Sequence, residues 1–309
     1  FGIREITKIL IEHGIKTFAV TEVTDLPILR KVLTDEDILV MRSTCIKDEC
    51  KEIAKYGATA TIGSLQAGQA MSEVATEMGV TVKCHLKIDT GMGRYGFMPS
   101  EIEDAIKCYS LPNLEFTGAY THFSSAFRNH DLTKAQLEMF KDTMAKIKEK
   151  VGNVGILHAS NSPALLNVED VCLDTVRIGS AFTGRVITKS KSGLHRLGSL
   201  EAEVVDVKTV PKGYFVGYNA TYQTKRETKI AIVPIGHYDG FGLTKEKEII
   251  TFRYVLSVFK SFLKKKQMYV KINGRMYHVI GGIGLSHTAV DITGSDVKPG
   301  DLASVDISP

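Results

Sequence analysis

"HLKIDTGMGRYGF", residues 85–97, begins as an apolar strand and ends in glycines around one arginine. Lys87 and Asp89 interrupt the apolar run, and Gly91, Met92, Gly93 and Arg94 follow. Glycine lets a backbone turn tightly or approach a ligand closely. An arginine held in such a loop suits a planar anion such as a carboxylate. A strand-to-helix turn carrying a solvated arginine would use the same residues, so this stretch alone leaves both readings open.

Outward from it, the chain alternates short apolar runs with helical patterns. Ile3, Ile6, Leu10 and Ile11 mark one helix face, and Gly14 is placed to stop it. Strands are predicted at "TFAV" (17–20), "ILVMR" (38–42), "ATATI" (58–62), "VKCHLKID" (82–89), "FTGAYTH" (116–122), "GILHAS" (155–160) and "TVRIG" (175–179). Between them lie a helix-like "EVTDLPILRKVL" (22–33), a long periodic helix over "LTKAQLEMFKDTMAKIKEK" (132–150) and a short one at "SPALL" (162–166). The strands are β-branched and apolar on both faces, as parallel strands covered by helices should be. A (β/α)8 barrel needs eight strands. This chain opens on a helix, so the expected fold is an α/β barrel lacking its first strand, over residues 1–192. An open doubly wound sheet ranks second, because no GxGxxG follows an early strand.

After about residue 195 the texture changes. "SLEAEVVDVKTV" (199–210), "KIAIVPIG" (229–236), "MYVKING" (268–274) and "RMYHVIGG" (275–282) read as strands divided by turns. One helical stretch, "YVLSVFKSFLKK" (254–265), interrupts them. Residues 193–309 are therefore expected to form a second, mainly β domain.

Composition sets the outer limits. The 309 residues are 43% hydrophobic and 24% charged, ordinary for a folded soluble protein of two domains. A net charge of +4 gives no reason to invoke nucleic acid. Lys264, Lys265 and Lys266 read as the solvated end of a helix. Five scattered cysteines without a CxxC pair suggest neither a disulfide framework nor a zinc site, and fit a reducing cytoplasm. No apolar run approaches membrane-spanning length, and no signal peptide opens the chain. A first residue of Phe suggests a fragment.

A barrel places functional side chains at the C-terminal ends of its strands. Lys87, Asp89 and Arg94 end one strand and His122 ends the next. Asn161 and Ser162 follow "GILHAS", and Arg177, Gly179 and Ser180 lie at the end of "TVRIG". Taken singly, His122 reads as a satisfied core histidine and Asn161–Ser162 as a helix cap. A helix start at Ser162 beside a Gly179–Ser180 turn with free N–H groups would also suit a phosphate. Four polar strand ends in succession favour a site.

These residues resemble the alanine racemases, pyridoxal-phosphate enzymes of fold type III. "KIDTGMGRYGF" (87–97) is similar to their Lys-Val-Asp-Thr-Gly-Met-Gly-Arg segment, and "YTHFSSA" (120–126) to their Thr-His-Phe motif. "HASNSPA" (158–164) resembles their Asn-Ser phosphate contact, and "VRIGSAFTGR" (176–185) their Arg-x-Gly stretch. "VGYNATY" (216–222) matches Gly-Tyr-x-x-Thr-Tyr, and "VPIGHYDGFG" (233–242) matches Pro-Ile-Gly-Tyr-x-Asp-Gly. The matches run in family order along almost the whole chain.

The resemblance implies pyridoxal 5'-phosphate as cofactor and a small amino acid as substrate, in a cytoplasmic homodimer with shared active sites. Arg94 would bind the substrate carboxylate and the cofactor's phenolic oxygen. Lys87 matches a lysine often carbamylated in the family, an anionic partner for that arginine. Arg177 would hydrogen-bond the pyridine nitrogen, with His122 steadying the network. Asn161, Ser162, Gly179 and Ser180 would surround the phosphate. Racemisation needs a base on each face of Cα. The family uses the cofactor-binding lysine and a tyrosine matching Tyr218, supplied by the partner subunit.

Three departures stand out. The family's Lys-Ala-x-x-Tyr-Gly-x-Gly motif is absent, and "FG" at residues 1–2 resembles its tail, which would place the lysine about six residues before Phe1. A C-terminal phosphate-contacting tyrosine would likewise lie beyond Pro309. A Met-Asp pair becomes Leu285–Ser286, and the tyrosine of Ile-Gly-Tyr becomes His237, both at the substrate entry. The expected function is alanine racemisation supplying D-alanine for peptidoglycan. A racemase for serine or another amino acid is the same-class alternative, and a non-catalytic pyridoxal-phosphate-binding homeostasis protein is the other.

Overall fold

A computed structural model describes residues 2–186, 193–243 and 267–306. The chain divides into two compact units, Phe1–His195 and Arg196–Pro309.

In the first unit, strands β1 (Thr17–Val20), β2 (Asp37–Ser43), β3 (Thr59–Ile62), β4 (Val82–Lys87), β5 (Leu114–Tyr120) and β6 (Ile156–His158) form one sheet in that order, every pair parallel. Helices α1 (Ile3–Glu12), α2 (Leu26–Leu29), α3 (Lys47–Lys55), α4 (Leu65–Met78), α5 (Ile102–Cys108), α6 (His130–Val151) and α7 (Ser162–Asn167) alternate with the strands. The result is the curled parallel sheet of a (β/α) barrel. Helix ends follow local chemistry. Ser64 and Asn129 cap α4 and α6 through their side-chain oxygens, and Gly79 ends α4 in the left-handed conformation.

Alternation along β4 separates the two faces of this sheet. Cys84, Leu86 and Ile88 belong to the apolar core with Ile53, Met71, Val74, Phe140 and Ile147 from the helices. His85, Lys87 and Asp89 occupy the intervening positions and are also buried, on the other face. A row of buried polar groups opposite an apolar layer is the first structural sign of a site.

Two elements differ from the sequence reading. "EVTDLPILRKVL" holds only a 3-10 turn, Val23–Asp25, and the four-residue α2, because Pro27 must sit in a first helical turn. "TVRIG" adds no strand to the ladder: Thr175 makes an isolated parallel bridge to His158. Asp174 N–H and Arg177 N–H still donate to Leu157 and Ser160 carbonyls, at 3.0 and 2.9 Å. The ladder stops there because β6 is only three residues long, and because Leu157 N–H goes to the Asp174 carboxylate at 2.7 Å instead of a backbone carbonyl.

The second unit is built on a seven-stranded antiparallel sheet. Its strands are β7 (Leu200–Glu203), β8 (Asp206–Val210), β11 (Thr228–Val233), β12 (Tyr269–Ile272), β13 (Arg275–Val279), β14 (Thr288–Asp291) and β15 (Leu302–Val305). They are arranged β7-β15-β12-β13-β14-β11-β8. Val204, Ala231, Val233, Val270, Ile272 and Val290 form its core. A small hairpin, β9 (Phe215–Val216) with β10 (Tyr222–Gln223), carries the loop with Tyr218. The helical stretch expected at 254–265 and the Lys264–Lys266 cluster lie outside the described residues.

Candidate active site

The glycines of the opening stretch are explained by Asp89. Its carboxylate accepts N–H groups from Gly91 (2.9 Å), Met92 (2.7 Å) and Arg94 (3.0 Å), which folds the loop back over the end of β4. Gly91, Gly93 and Gly96 have φ of +122°, +66° and +119°, values that side-chain-bearing residues avoid. Three hydrogen bonds to the ionised form lower the Asp89 pKa although burial opposes them. The loop ends where Phe97 rejoins the strand: Phe97 N–H donates to Lys87 and Asp89 N–H to Phe97, both at 2.9 Å. Arg94 is thereby carried on a closed loop, its side chain exposed over Tyr95.

Lys87 is 3% exposed. Its ammonium donates to the Ile88 carbonyl at 3.2 Å and lies 4.8 Å from the centre of the Tyr120 ring. Burial, reinforced by the charges of Arg177 and Arg94 and opposed by Asp89, pulls its pKa down to about 7. A substantial fraction of this amine is therefore neutral near neutral pH.

Arg177 lies 4.9 Å from the same Tyr120 ring. Its Nη1 donates to His158 Nδ1, and its Nη2 donates to the Thr121 and Ala159 carbonyls at 2.7 and 2.9 Å. Nε is buried with no partner. Burial draws the guanidinium down to about 10, so it stays charged. His122 comes under the charges of Arg177, Lys87 and Arg94, and burial with those charges takes it down to about 4. His122 Nδ1 is likewise buried without a partner. The histidine that contacts Arg177 is therefore His158, not His122.

At the next strand end, Asn161 does cap α7: its side-chain oxygen accepts Ala164 N–H at 3.1 Å, and its amide reaches the Phe123 carbonyl at 3.4 Å. Ser162 Oγ accepts the N–H groups of Gly179 (2.9 Å) and Ala181 (3.2 Å). The Gly179 N–H is thus not free, contrary to the sequence reading, because the serine hydroxyl lies against the turn. Because the Ser162 hydroxyl accepts both of these bonds, its own hydrogen remains available to a further acceptor. A β-carbon on Gly179 would meet nothing within 4 Å, so the turn faces open space.

The first unit therefore brings Lys87, Arg94, His122 and Arg177 into one electrostatic neighbourhood, with Asn161, Ser162, Gly179 and Ser180 at the adjoining strand ends. The second unit gathers Tyr218, His237 and Leu285. His237 N–H donates to the Gly284 carbonyl at 3.0 Å and Tyr238 N–H to Leu285 at 2.8 Å. Tyr218 and Leu285 line a groove of about 480 Å³ with Ser286 and His287, and are 78% and 69% exposed. Asn219 and Ala220 hold φ of +57° and +50°, which turns the loop sharply behind Tyr218.

His158, His85 and Tyr120 escaped the sequence reading. His85 and Tyr120 stand two positions before Lys87 and His122, whereas His158 stands in its strand with no such marker beside it. The period of two, applied inward from Lys87 and His122, puts His85 and Tyr120 on the same face of the sheet but does not tell a network member from core filling.

Cationic groups dominate this site, and among the described residues that form it the one carboxylate, Asp89, is occupied by backbone N–H groups. Fold and site together define a class: a curled (β/α) barrel followed by a β domain, with cationic side chains gathered at the barrel's strand ends. The pattern of the alanine racemase N-terminal domain matches residues 1–187, and that of its C-terminal domain residues 197–306. The chain belongs to the alanine racemase family. It is 32% identical over 308 residues to the alanine racemase of Carboxydothermus hydrogenoformans, covering 98% of this chain and 78% of that one. The crystal structure of alanine racemase from Clostridium difficile 630 superposes with a TM-score of 0.79 at 27% identity, covering 98% of this chain and 76% of that one. Its complex with cycloserine gives 0.76 at 25% identity, covering 100% and 76%.

Proposed function

We propose that this protein interconverts L- and D-alanine with pyridoxal 5'-phosphate, as a cytoplasmic homodimer supplying D-alanine for peptidoglycan. The observation that carries the reading is Arg177 Nε, a buried charged donor left without a partner while the Nη atoms are held by His158, Thr121 and Ala159. A buried unmet donor is costly, and a pyridine nitrogen is the acceptor that would relieve it. The cofactor, when bound, delocalises the charge left at Cα when its proton is removed.

The chain's own residues do the rest. Ser162, with Asn161, Gly179 and Ser180 at the same strand ends, would hold the cofactor's phosphate, the serine through its hydroxyl hydrogen. Arg177 stays protonated and would give no proton to the ring of a bound cofactor, which would limit side reactions. Arg94 holds the substrate carboxylate. Lys87, buried between positive charges with a pKa near 7, is suited to carbamylation, which would replace a third cation by an anion facing Arg94. His122, kept neutral by its surroundings, helps a tyrosine act as base. That tyrosine is the partner subunit's Tyr218, whose exposure leaves its phenol free to enter another site. Leu285 and His237 at the same face set the width of the substrate entry.

Polarimetry on the full-length protein loaded with pyridoxal 5'-phosphate tests this. L-Alanine should lose its rotation fastest, with L-serine slower. Preference for serine would move the assignment to a serine racemase. Cofactor binding without racemisation of any amino acid would leave the homeostasis reading.

A further inference from the structure

Arg177 can only donate, and this fixes the direction of a buried hydrogen-bond chain across three strands. Its Nη1 meets His158 Nδ1, so that nitrogen must accept and the ring's single proton sits on Nε2. Nε2 lies 2.9 Å from His85 Nδ1. His85 Nδ1 must therefore accept in turn, leaving the His85 proton on Nε2. Both imidazoles are buried, and they meet edge to face at 5.0 Å and 61°. Burial foremost draws His158 down to about 2 and His85 down to about 4. Arg177 adds to both shifts, while Asp37 partly opposes that of His85.

His85 is on β4 and His158 on β6, with β5 between them. The crossing is made at a glycine. Gly118 is the register partner of His85 on one side and of Ile156 on the other. A β-carbon at 118 would stand 2.8 Å from His85 Nε2 and 2.9 Å from Cε1. Only a residue without one leaves room for the His85 ring to pass over β5 and reach His158.

We infer that His85 is a positioning residue for the reaction: by accepting the Nε2–H of His158 it holds that ring in the tautomer that offers Nδ1 to Arg177. The inference rests on the function proposed above, in which Arg177 Nε meets the cofactor ring. Without His85, the His158 Nε2–H is buried and unmet. The ring relieves this by moving its proton to Nδ1, which sets a donor against the guanidinium and detaches Arg177.

Nitrogen-15 histidine labelling of the full-length protein, with and without pyridoxal 5'-phosphate, reads the chain directly. In the wild type, the protonated His158 Nε2 should show a nitrogen–nitrogen coupling across the hydrogen bond to His85 Nδ1. His85→Leu should lose this coupling and leave His158 in a mixture of tautomers. Its kcat should fall on the order of tenfold with KM unchanged, as when the partner of a liganding histidine is removed. His85→Gln, whose amide oxygen can still accept, should keep the single tautomer and recover most of the kcat. A wild type with no such coupling, or a His85→Leu variant with unchanged kcat and tautomer, overturns the inference. The coupling is read without turnover, so a wild type that shows it and racemises nothing contradicts the racemase reading while supporting the histidine chain.

Discussion

Gly96 carries the tightest constraint in the loop after β4. With φ at +119°, a β-carbon there would stand 2.7 Å from Asp89 N and 2.9 Å from the Ile88 carbonyl carbon. Both are backbone atoms, so no side-chain movement relieves the contact. Gly96→Ala should lower stability by about 2 kcal/mol, in the range of stored backbone strain, and should weaken carboxylate binding by shifting Arg94; urea unfolding and substrate KM check the two effects. Lys87 gives a second prediction at this scale. Labelled bicarbonate should produce one carbamate carbon resonance, lost in Lys87→Arg, whose guanidinium does not deprotonate. Finding no carbamate signal would leave Lys87 as an unmodified buried amine. The residues legible in advance were those at strand ends, where a polar group interrupts an apolar run: Lys87, Asp89, Arg94, His122, Asn161, Ser162 and Arg177. His85 and His158 were hidden because a lone histidine inside a strand has the same local signature whether it fills the core or joins a network. Only the register through Gly118 distinguishes the two.

The central strands β4, β5 and β6 carry or lead into three histidines that are kept neutral: His85, His122 and His158. Burial puts them at about 4, about 4 and about 2, below the unfolded value near 6.5. The unfolded chain therefore takes up protons before the folded one does. Their contribution is fully present above about pH 6.5 and is lost as the pH falls toward about 4, by up to roughly 1.4 kcal/mol per pH unit for each histidine. The urea midpoint should drop clearly between about pH 7 and about pH 5. A midpoint that holds or rises on acidification would mean the histidines are not buried neutral. Element order was legible because β-branched runs and helical periods alternate along the first 180 residues or so. Element length was not. Nothing local to "TVRIG" shows that its partner strand ends after three residues, or that the Asp174 carboxylate takes a ladder N–H.

At the scale of the whole molecule, the site residues divide between two units. Lys87, Arg94, His122 and Arg177 belong to the barrel, whereas Tyr218, His237 and Leu285 belong to the β domain. The central claim is that two bases act on opposite faces of Cα and that Tyr218 is one of them. A free phenol titrates near 10 and needs help to accept a proton near neutral pH, which His122 and Arg177 would provide. Tyr218→Phe removes the base while keeping the ring's shape, so cofactor binding should persist. Deuterium wash-in at Cα, followed separately from L- and D-alanine in the full-length protein, tests this most directly. Exchange should collapse for the enantiomer whose proton the tyrosine removes and persist for the other; undiminished exchange and racemisation from both would show that Tyr218 is not the second base.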